Sequence, residues 1–380
     1  MKKWEKISIF IVLVIIGIMS TYLFYNQAIN KFPSDLIAHI EAALESDGLE
    51  GQYTITKPIY KFIYNYLGGN LGIAIMLSVT TIATIVVTEK MLKYYVKDEK
   101  ESKLYMYAII LNFVIAIFIP FISKNWNVGF QEPTEWHNST YTIMKFLGII
   151  AVLVYFKISK DYIEKISFKD WLTFAILLTL INLVKPNFII AFAPAMLIFL
   201  IIDFFRNIKN KKAIFNIIIF GSAVLVSLTV LVYQSVVLYG EDPESGIAIG
   251  FMKLLKQYND YPILSLLQSI AFPLFILVTN FKTIIKDRKY SFVWTMNTVA
   301  FCEYLFLTET GPRSGDGNFD WGYSFSLMLV FTCSVALLDK IKNEKTKSKL
   351  YIIVAYILLL LHFICGLIYF YRLMNGETYG

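Results

Sequence analysis

Long apolar runs separated by short polar loops dominate this chain and constrain its fold more than any single motif. Runs of roughly 17 to 25 apolar residues can cross a membrane as helices. Such runs lie at about 7–26, 71–90, 104–122, 141–157, 170–184, 187–204, 213–236, 262–281, 290–308, 322–339 and 350–371. The sequence therefore predicts about eleven transmembrane helices.

Positive charge alternates along the loops between these runs. Twenty-five of the 35 Lys and Arg residues fall in six short segments on one side of the runs. These segments lie at 2–6, 90–103, 157–169, 206–212, 282–289 and 340–349. Because basic residues are retained on the cytoplasmic side of short loops, we expect the N-terminus inside and, after eleven spans, the C-terminus outside. The loops that are poor in Lys then face outward.

The composition agrees with a membrane protein. Hydrophobic residues make up 57% of the chain and the mean hydropathy is +0.59, which exceeds what a soluble domain tolerates. The net charge of +7 does not indicate nucleic acid, because the Lys residues lie in dispersed clusters at the expected membrane boundaries, where anionic lipids bind them. We expect an all-α, multi-pass protein of the cell membrane, with one domain over 1–380 and an uncleaved anchor at 7–26.

The chain lacks the common sequence signatures of nucleotide and metal chemistry. It has no Gly-rich phosphate loop, no dinucleotide fingerprint and no pair of His flanking a Glu at helical spacing. Its three Cys residues lie far apart within apolar runs, which favours packing over a disulfide framework. We therefore expect any chemistry to use the outward loops.

The first outward loop, at about 27–70, is predicted to contain a short amphipathic helix. Ser34 is a good N-cap for it, and its apolar face suits the membrane surface. The opposite face carries Asp35 and His39, four residues apart. Two interpretations are open: Asp35 favours the positive end of the helix while His39 is solvated, or Asp35 is a general base that His39 tunes.

The second outward loop carries a dense polar and aromatic segment at 136–140. Trp136 offers an aromatic face, His137 an imidazole and Asn138 an amide, and these groups suit the apolar ring faces and polar rim of a sugar. Trp residues at membrane boundaries also act simply as interface anchors, so that interpretation is open too.

Three ionisable residues elsewhere are candidates for substrate binding. Lys185, in the turn between two spans, either snorkels to the interface or binds a lipid-linked phosphate. Arg313 lies in a Gly-rich outer loop, where it either grips a phosphate with two parallel hydrogen bonds or pairs with Glu309 or Asp316 to shape a turn. Glu303 lies within a predicted span, where a charge is costly and marks a functional or helix-pairing residue.

The residues assign no cofactor and leave a divalent metal open. A metal bound by Asp35 and His39 would need further ligands, for which His137, Glu309 and Asp316 are the candidates.

These segments together resemble the GT-C superfamily of multi-span membrane glycosyltransferases, and especially small bacterial members without a soluble domain. In that superfamily the first outer loop carries an acidic catalytic residue near the start of a membrane-surface helix, and the donor sugar is linked to a polyprenyl phosphate. The resemblance implies that Asp35, with His39, is catalytic.

Three further segments, at 136–140, 185–188 and 317–322, are similar to parts of uncharacterised bacterial proteins of this type, and the last contains Asn318 and Trp321. The chain departs from the family in having a single Asp at the helix start and no large outer domain. The departures leave the acceptor and any metal requirement open.

The resemblance implies transfer of a sugar, on the outer face, from a polyprenyl-phosphate donor to a surface glycan or a lipid-linked acceptor. Asp35 would deprotonate the acceptor hydroxyl, and Lys185 and Arg313 would stabilise the departing phosphate. The expected substrate-binding residues are Lys185, Arg313, Trp136, His137, Asn138, Asn318, Trp321 and Glu303. The alternatives are an oligosaccharide repeat-unit polymerase and a transporter or flippase of a lipid-linked saccharide, although a transporter favours charged residues deep in several spans.

The Lys distribution predicts the result of a fusion experiment. A reporter enzyme that is active only outside the cytoplasm should be active when it is fused after Glu45 and inactive when it is fused after Lys97 or Lys345. A second reporter that needs the cytoplasm should give the reverse pattern at each position. Activity of the first reporter after Lys97 would contradict the orientation.

Overall fold

The computed structural model describes residues 2–45, 54–123, 125–127, 129–238, 246–311 and 314–378. Within these ranges the chain is almost entirely helical. The first elements are α1 (Lys3–Ala28), α2 (Leu36–Glu45), α3 (Thr56–Tyr66), α4 (Gly69–Tyr95), α5 (Glu101–Leu111), α6 (Ser139–Ser159), α7 (Phe168–Val184), α8 (Asn187–Arg206) and α9 (Lys211–Tyr233), which continues as a π-helical turn at Gln234–Leu238. The later elements are β1 (Ile247–Ile249), α10 (Lys253–Tyr258), α11 (Pro262–Lys286), α12 (Arg288–Phe306), β2 (Leu307–Glu309), α13 (Asp320–Glu344) and α14 (Lys349–Met374). The two short strands pair antiparallel.

Eight helices in the described ranges are long and apolar enough to cross a membrane: α1, α4, α6, α8, α9 with its π-helical turn, α11, α13 and α14. The prediction of an all-α, multi-pass membrane protein is therefore confirmed, but the count of eleven spans is not. Two of the other predicted spans lie in α7, which has 17 residues, and α12, which has 19. Both pack within the same bundle, against α9 and α13 respectively.

The predicted helical span at 104–122 is wrong. The helix α5 ends at Leu111, and the chain then runs without helix or strand through 114–119. Irregular backbone at the depth of a membrane needs protein partners for its polar groups, because lipid supplies none. Side chains and backbone of α11 and α14 supply these partners.

The buried side chain of His362, on α14, is central to this arrangement. Its Nδ1 lies 2.6 Å from the carbonyl oxygen of Ile115, and its Nε2 accepts a hydrogen bond of 3.3 Å from the backbone N–H of Phe272. The Nδ1 atom must then carry the proton and donate it to Ile115. Gln268 on α11 binds the same segment, and we call this set of contacts of His362 and Gln268 the clamp. The backbone carbonyl of Gln268 accepts from Ile117 N at 3.0 Å, and its side-chain amide donates to Ile117 O at 2.8 Å.

A glycine lets the non-helical segment approach α14 closely. A Cβ atom at Gly366 would lie 1.4 Å from the carbonyl oxygen of Phe113, so no larger residue fits without moving the chain. The segment is held from its other side by Glu132, whose carboxylate accepts from Ala116 N at 2.6 Å. The loop that follows α5 is thus fixed to the bundle.

Acidic residues hold the helices together at the end of the bundle that contains 90–103 and 282–289, here called the lysine-rich end. Arg288 on α12 donates two hydrogen bonds, of 2.9 and 2.5 Å, to Asp203 on α8. Lys103 on α5 pairs with Asp339 on α13. Asp203 is 5% exposed and Asp339 is 1% exposed. Removal of Arg288 or Lys103 would leave a buried carboxylate uncompensated, so these pairs stabilise the contacts between helices at this end.

The opposite end, called the site end, is where α4, α6, α8 and α13 begin. The central helix is α13, because nearly all residues of its apolar stretch are buried by the other helices. The predicted amphipathic helix is present as α2, and Ser34 caps it by accepting from Leu36 N at 3.0 Å. A second surface helix that the sequence analysis did not predict, α3, packs beside it and exposes Ile59 and Phe62.

The clamp predicts a stability effect of His362→Ala. The substitution leaves the buried groups of Ile115 and Phe272 without their partner, so it should lower the free energy of unfolding by about 3 kcal/mol. Thermal unfolding in detergent, followed with a thiol-reactive dye at the buried Cys333 and Cys365, measures it. His39→Ala, at a half-buried surface position, is the matched control and should stay within about 0.5 kcal/mol of wild type. Equal midpoints for His362→Ala and wild type would contradict the clamp.

Candidate functional site

A cavity of about 830 Å³ opens at the site end. Its wall is built from α2, the segment before α6, the α7–α8 turn, the end of α9, the β1–α10 segment and the segment before α13. Most of the predicted site residues meet in this wall: Asp35, His39, His137, Asn138, Lys185, Asn318 and Trp321. Residues that are distant in the sequence thus share one compartment.

The Asn138 amide joins three of the wall segments. Its Oδ1 accepts from Tyr141 N at 2.9 Å, which caps the first turn of α6. This contact fixes the orientation of the amide, because a backbone N–H can only donate. Its Nδ2 then donates to Asp35 Oδ2 at 2.9 Å, while Oδ1 also receives the Lys185 Nζ at 3.4 Å. The carboxylate of Asp35 and the ammonium group of Lys185 therefore contact opposite ends of one buried amide.

Asp35 is held at the start of α2 by hydrogen bonds that do not involve its own carboxylate. Asp35 N donates to the carbonyl oxygen of His137 at 3.2 Å, and Ser34 Oγ donates to the same oxygen at 2.7 Å. The start of α2 is therefore attached to the segment before α6. The carboxylate is left pointing at Asn138 and the cavity.

Lys185 takes its position from the proline that follows it. A residue before Pro is restricted to extended conformations, and Lys185 has φ −159° and ψ 110°, which ends α7. Its Nζ donates to Thr140 Oγ1 at 3.2 Å and lies 4.1 Å from the ring centre of Trp321. Trp321, which the resemblance named as substrate-binding, therefore holds the Lys185 ammonium by a cation–π contact.

Asn318 connects β2, α8 and the start of α13. Its side-chain amide donates to Glu309 Oε2 at 2.6 Å, and its carbonyl oxygen accepts from the side chain of Asn187. Gly317, with φ +67°, makes the turn before it. Gly322 lets α13 approach α8, since a Cβ atom there would lie 2.9 Å from the Asn187 carbonyl oxygen.

Two acids that were not predicted as site residues also line the wall. Glu135 Oε2 accepts from Asn127 Nδ2 at 2.8 Å and lies 3.3 Å from His137 Nδ1. Burial, and then the charge of Asp320, raise the pKa of Glu135 well above its usual range. Asp320 itself opens α13. The signal in the sequence was an acid directly before a Trp at both positions, Glu135–Trp136 and Asp320–Trp321, which the sequence analysis did not use.

Trp136, a predicted substrate-binding residue, does not lie in the wall of the large cavity. The side chain is 3% exposed. It packs among aromatic rings instead, 4.6 Å from Phe370, 5.5 Å from Phe113 and 6.3 Å from Phe24 between ring centres. Alternation along the non-helical segment turns Trp136 inward while its neighbours face the cavity.

Glu303, another predicted residue, is not brought into the wall. It lies on α12, outside the cavity, although its neighbour Tyr304 lines it. Arg313 lies outside the described residues. The candidate metal ligands Glu309 and Asp316 line the wall, but the described ranges contain no group of three or more His, Cys, Asp or Glu that could hold a metal ion.

The two histidines of the site are neutral near neutral pH. Burial, and then the Lys185 ammonium, lower the pKa of His39 to about 4, while the Asp35 carboxylate acts in the opposite direction. Burial also lowers the pKa of His137 to about 4. Neutral imidazoles can accept as well as donate hydrogen bonds, so both suit contact with hydroxyl groups.

In comparisons with known proteins, no family model matches this chain and no curated protein is significantly similar to it. The resemblance to the GT-C superfamily therefore stands on the residues quoted above and stays a prediction.

The wall geometry predicts opposite shifts of the His39 pKa in two variants. Lys185→Met should raise it, because a repelling positive charge is lost, and Asp35→Asn should lower it, because an attracting negative charge is lost. The chain has three His residues, so their ring Cε1–H signals can be titrated individually by NMR in detergent. The signal of the distant His362 serves as the internal control. Shifts of the same sign in both variants would contradict the arrangement.

Proposed function

We propose that this protein transfers a sugar from a polyprenyl-phosphate carrier to a hydroxyl of a surface glycan or lipid-linked acceptor, at the outer face of the membrane. The observation that carries the proposal is the Asn138 amide, which places the Asp35 carboxylate and the Lys185 ammonium side by side in one cavity wall. Transfer of a sugar from a phosphate needs a base for the incoming hydroxyl and a cation for the outgoing phosphate.

The reaction is a single displacement. Asp35 takes the proton of the acceptor hydroxyl as its oxygen attacks the anomeric carbon. The bond between that carbon and the phosphate oxygen breaks, and the negative charge that develops on the phosphate is stabilised by Lys185. Because attack and departure occur on opposite faces of the sugar, the anomeric configuration inverts.

The cavity also offers a place for the lipid part of the carrier. Apolar side chains of its wall lie at the end of α7, on α8 and on α9, and they include Val184, Ile190 and Leu231. An isoprenoid chain attached to a phosphate at Lys185 could lie against these residues and leave into the bilayer. The hydroxyl and amide groups of the wall, such as Asn187 and Tyr258, would face the sugar.

The two ends of the bundle favour an enzyme over a transporter. The site end holds the large polar cavity, whereas the lysine-rich end is stabilised by the Arg288–Asp203 and Lys103–Asp339 pairs. Alternating access would require such buried pairs to break in each cycle, at a cost of several kcal/mol. The Lys distribution supports an outer position for the cavity, where lipid-linked sugars rather than cytoplasmic nucleotides would supply the donor.

The test is the variant Asp35→Asn, which keeps the shape of the side chain and removes the base. Cells that carry it in place of the wild type should lose one surface-glycan linkage and accumulate a lipid-linked sugar, as a deletion strain should. Surface glycans and extracted lipids are compared by mass spectrometry at equal levels of membrane-inserted protein. A loss of at least 100-fold in linkage is expected if Asp35 is the base.

The matched control is Glu41→Gln, an exposed acid on the same helix, α2, that does not line the cavity. It should give wild-type glycans and lipids. A full set of glycan linkages in the Asp35→Asn strain would rule out the catalytic role of Asp35.

A further inference from the structure

A second, much smaller cavity lies between α4, the end of α5 and the start of α6. Its volume is about 20 Å³, and roughly 10–15 Å³ is enough for one water molecule. Seven of its eight lining residues are polar, and the eighth is Trp136. Small cavities with polar walls hold water, whereas dry cavities have apolar walls.

Two buried groups at this cavity, Lys145 Nζ and Trp136 Nε1, can donate more hydrogen bonds than they make in the part of the chain that the structure describes. Lys145, 5% exposed, donates from Nζ to Thr134 Oγ1 at 3.1 Å, and an ammonium group carries two more donors. Trp136, 3% exposed, has no hydrogen-bond partner at Nε1 among the described residues. Each unmade hydrogen bond of a buried donor costs about 1–3 kcal/mol. An acceptor in the cavity would satisfy both donors.

Glu135 lines this cavity and the large one, so it is the residue that connects them. Glu135 and Lys145 line the same small cavity, yet their described contacts go to other residues and not directly to each other. Buried polar groups need hydrogen-bond partners, and a bridging water is nearly as good as a direct contact.

We propose that the small cavity holds one water molecule, which accepts from Lys145 Nζ and Trp136 Nε1 and donates to the Glu135 carboxylate. Through this water, Lys145 acts as a positioning residue for the site. It fixes the carboxylate that contacts Asn127 and His137 on the wall of the large cavity. The water site goes beyond the proposed sugar transfer and does not depend on it.

The experiment is a cryo-electron microscopy structure of the full chain at a resolution that shows ordered internal water, together with the NMR signal of His137. We expect a density peak within hydrogen-bonding distance of Lys145, Trp136 and Glu135. Thr84→Leu, which fills the cavity from α4, should remove the peak and shift the His137 signal. Thr80→Leu, the same change on the same helix outside the cavity, should do neither.

Trp136→Phe removes the Nε1 donor together with one ring of the indole and serves as the second variant should Thr84→Leu not fold. It should weaken or displace the peak and move the His137 signal in the same direction. An empty cavity in a map that shows other internal water would overturn the proposal. A His137 signal equal to that of wild type in folded Thr84→Leu or Trp136→Phe would overturn the positioning role of Lys145. Neither outcome bears on sugar transfer, which the glycan comparison tests separately.

Discussion

The buried amide of Asn138 is the contact on which the site end depends. It caps α6, accepts from Lys185, 47 residues away, and donates to Asp35, 103 residues away, so three segments of the chain take their relative positions from one side chain. An Asp at this position would repel Asp35, and an aliphatic residue would leave the cap and both charged groups without a partner. The same amide thus serves the fold and the proposed chemistry.

Asn138 can occupy that position only because the chain before α6 is fixed. The non-helical segment after α5 is clamped by His362 and Gln268 and held by Glu132, which keeps the loop leading to Asn138 on the bundle. Non-helical backbone at this depth is tolerated where protein surrounds it. A continuous helix would have carried 112–122 straight to the surface and removed the wall that holds Glu135 and His137.

The sequence was sufficient to predict the features that depend on composition and local pattern. Apolar runs identified the membrane helices, and the Ser34 cap identified α2, because these are properties of neighbouring residues. The broken span at 104–122 was missed because an apolar run has the same composition whether its backbone is paired within a helix or with other helices. Only the distant partners at Gln268 and His362 distinguish the two cases.

For the site, the residue types were predicted better than their contacts. Asp35, Lys185 and Asn138 lie in one cavity wall, and their connection through the amide depends on tertiary structure. Trp136 and Trp321 looked equivalent in sequence, and the structure separates them: the first packs in the core and the second holds Lys185. Two acids, Glu135 and Asp320, also lie in this wall. Other parts of the chain bury them, and the sequence alone does not reveal which residues will be buried.

The most direct test of the account is a structure of the protein with a short-chain polyprenyl monophosphate bound. The account predicts that the phosphate contacts Lys185, that the isoprenoid chain lies along Val184 and Ile190, and that the free phosphate oxygen faces the part of the cavity lined by Asp35. A phosphate bound at the lysine-rich end, or in the cavity but away from Lys185, would contradict it.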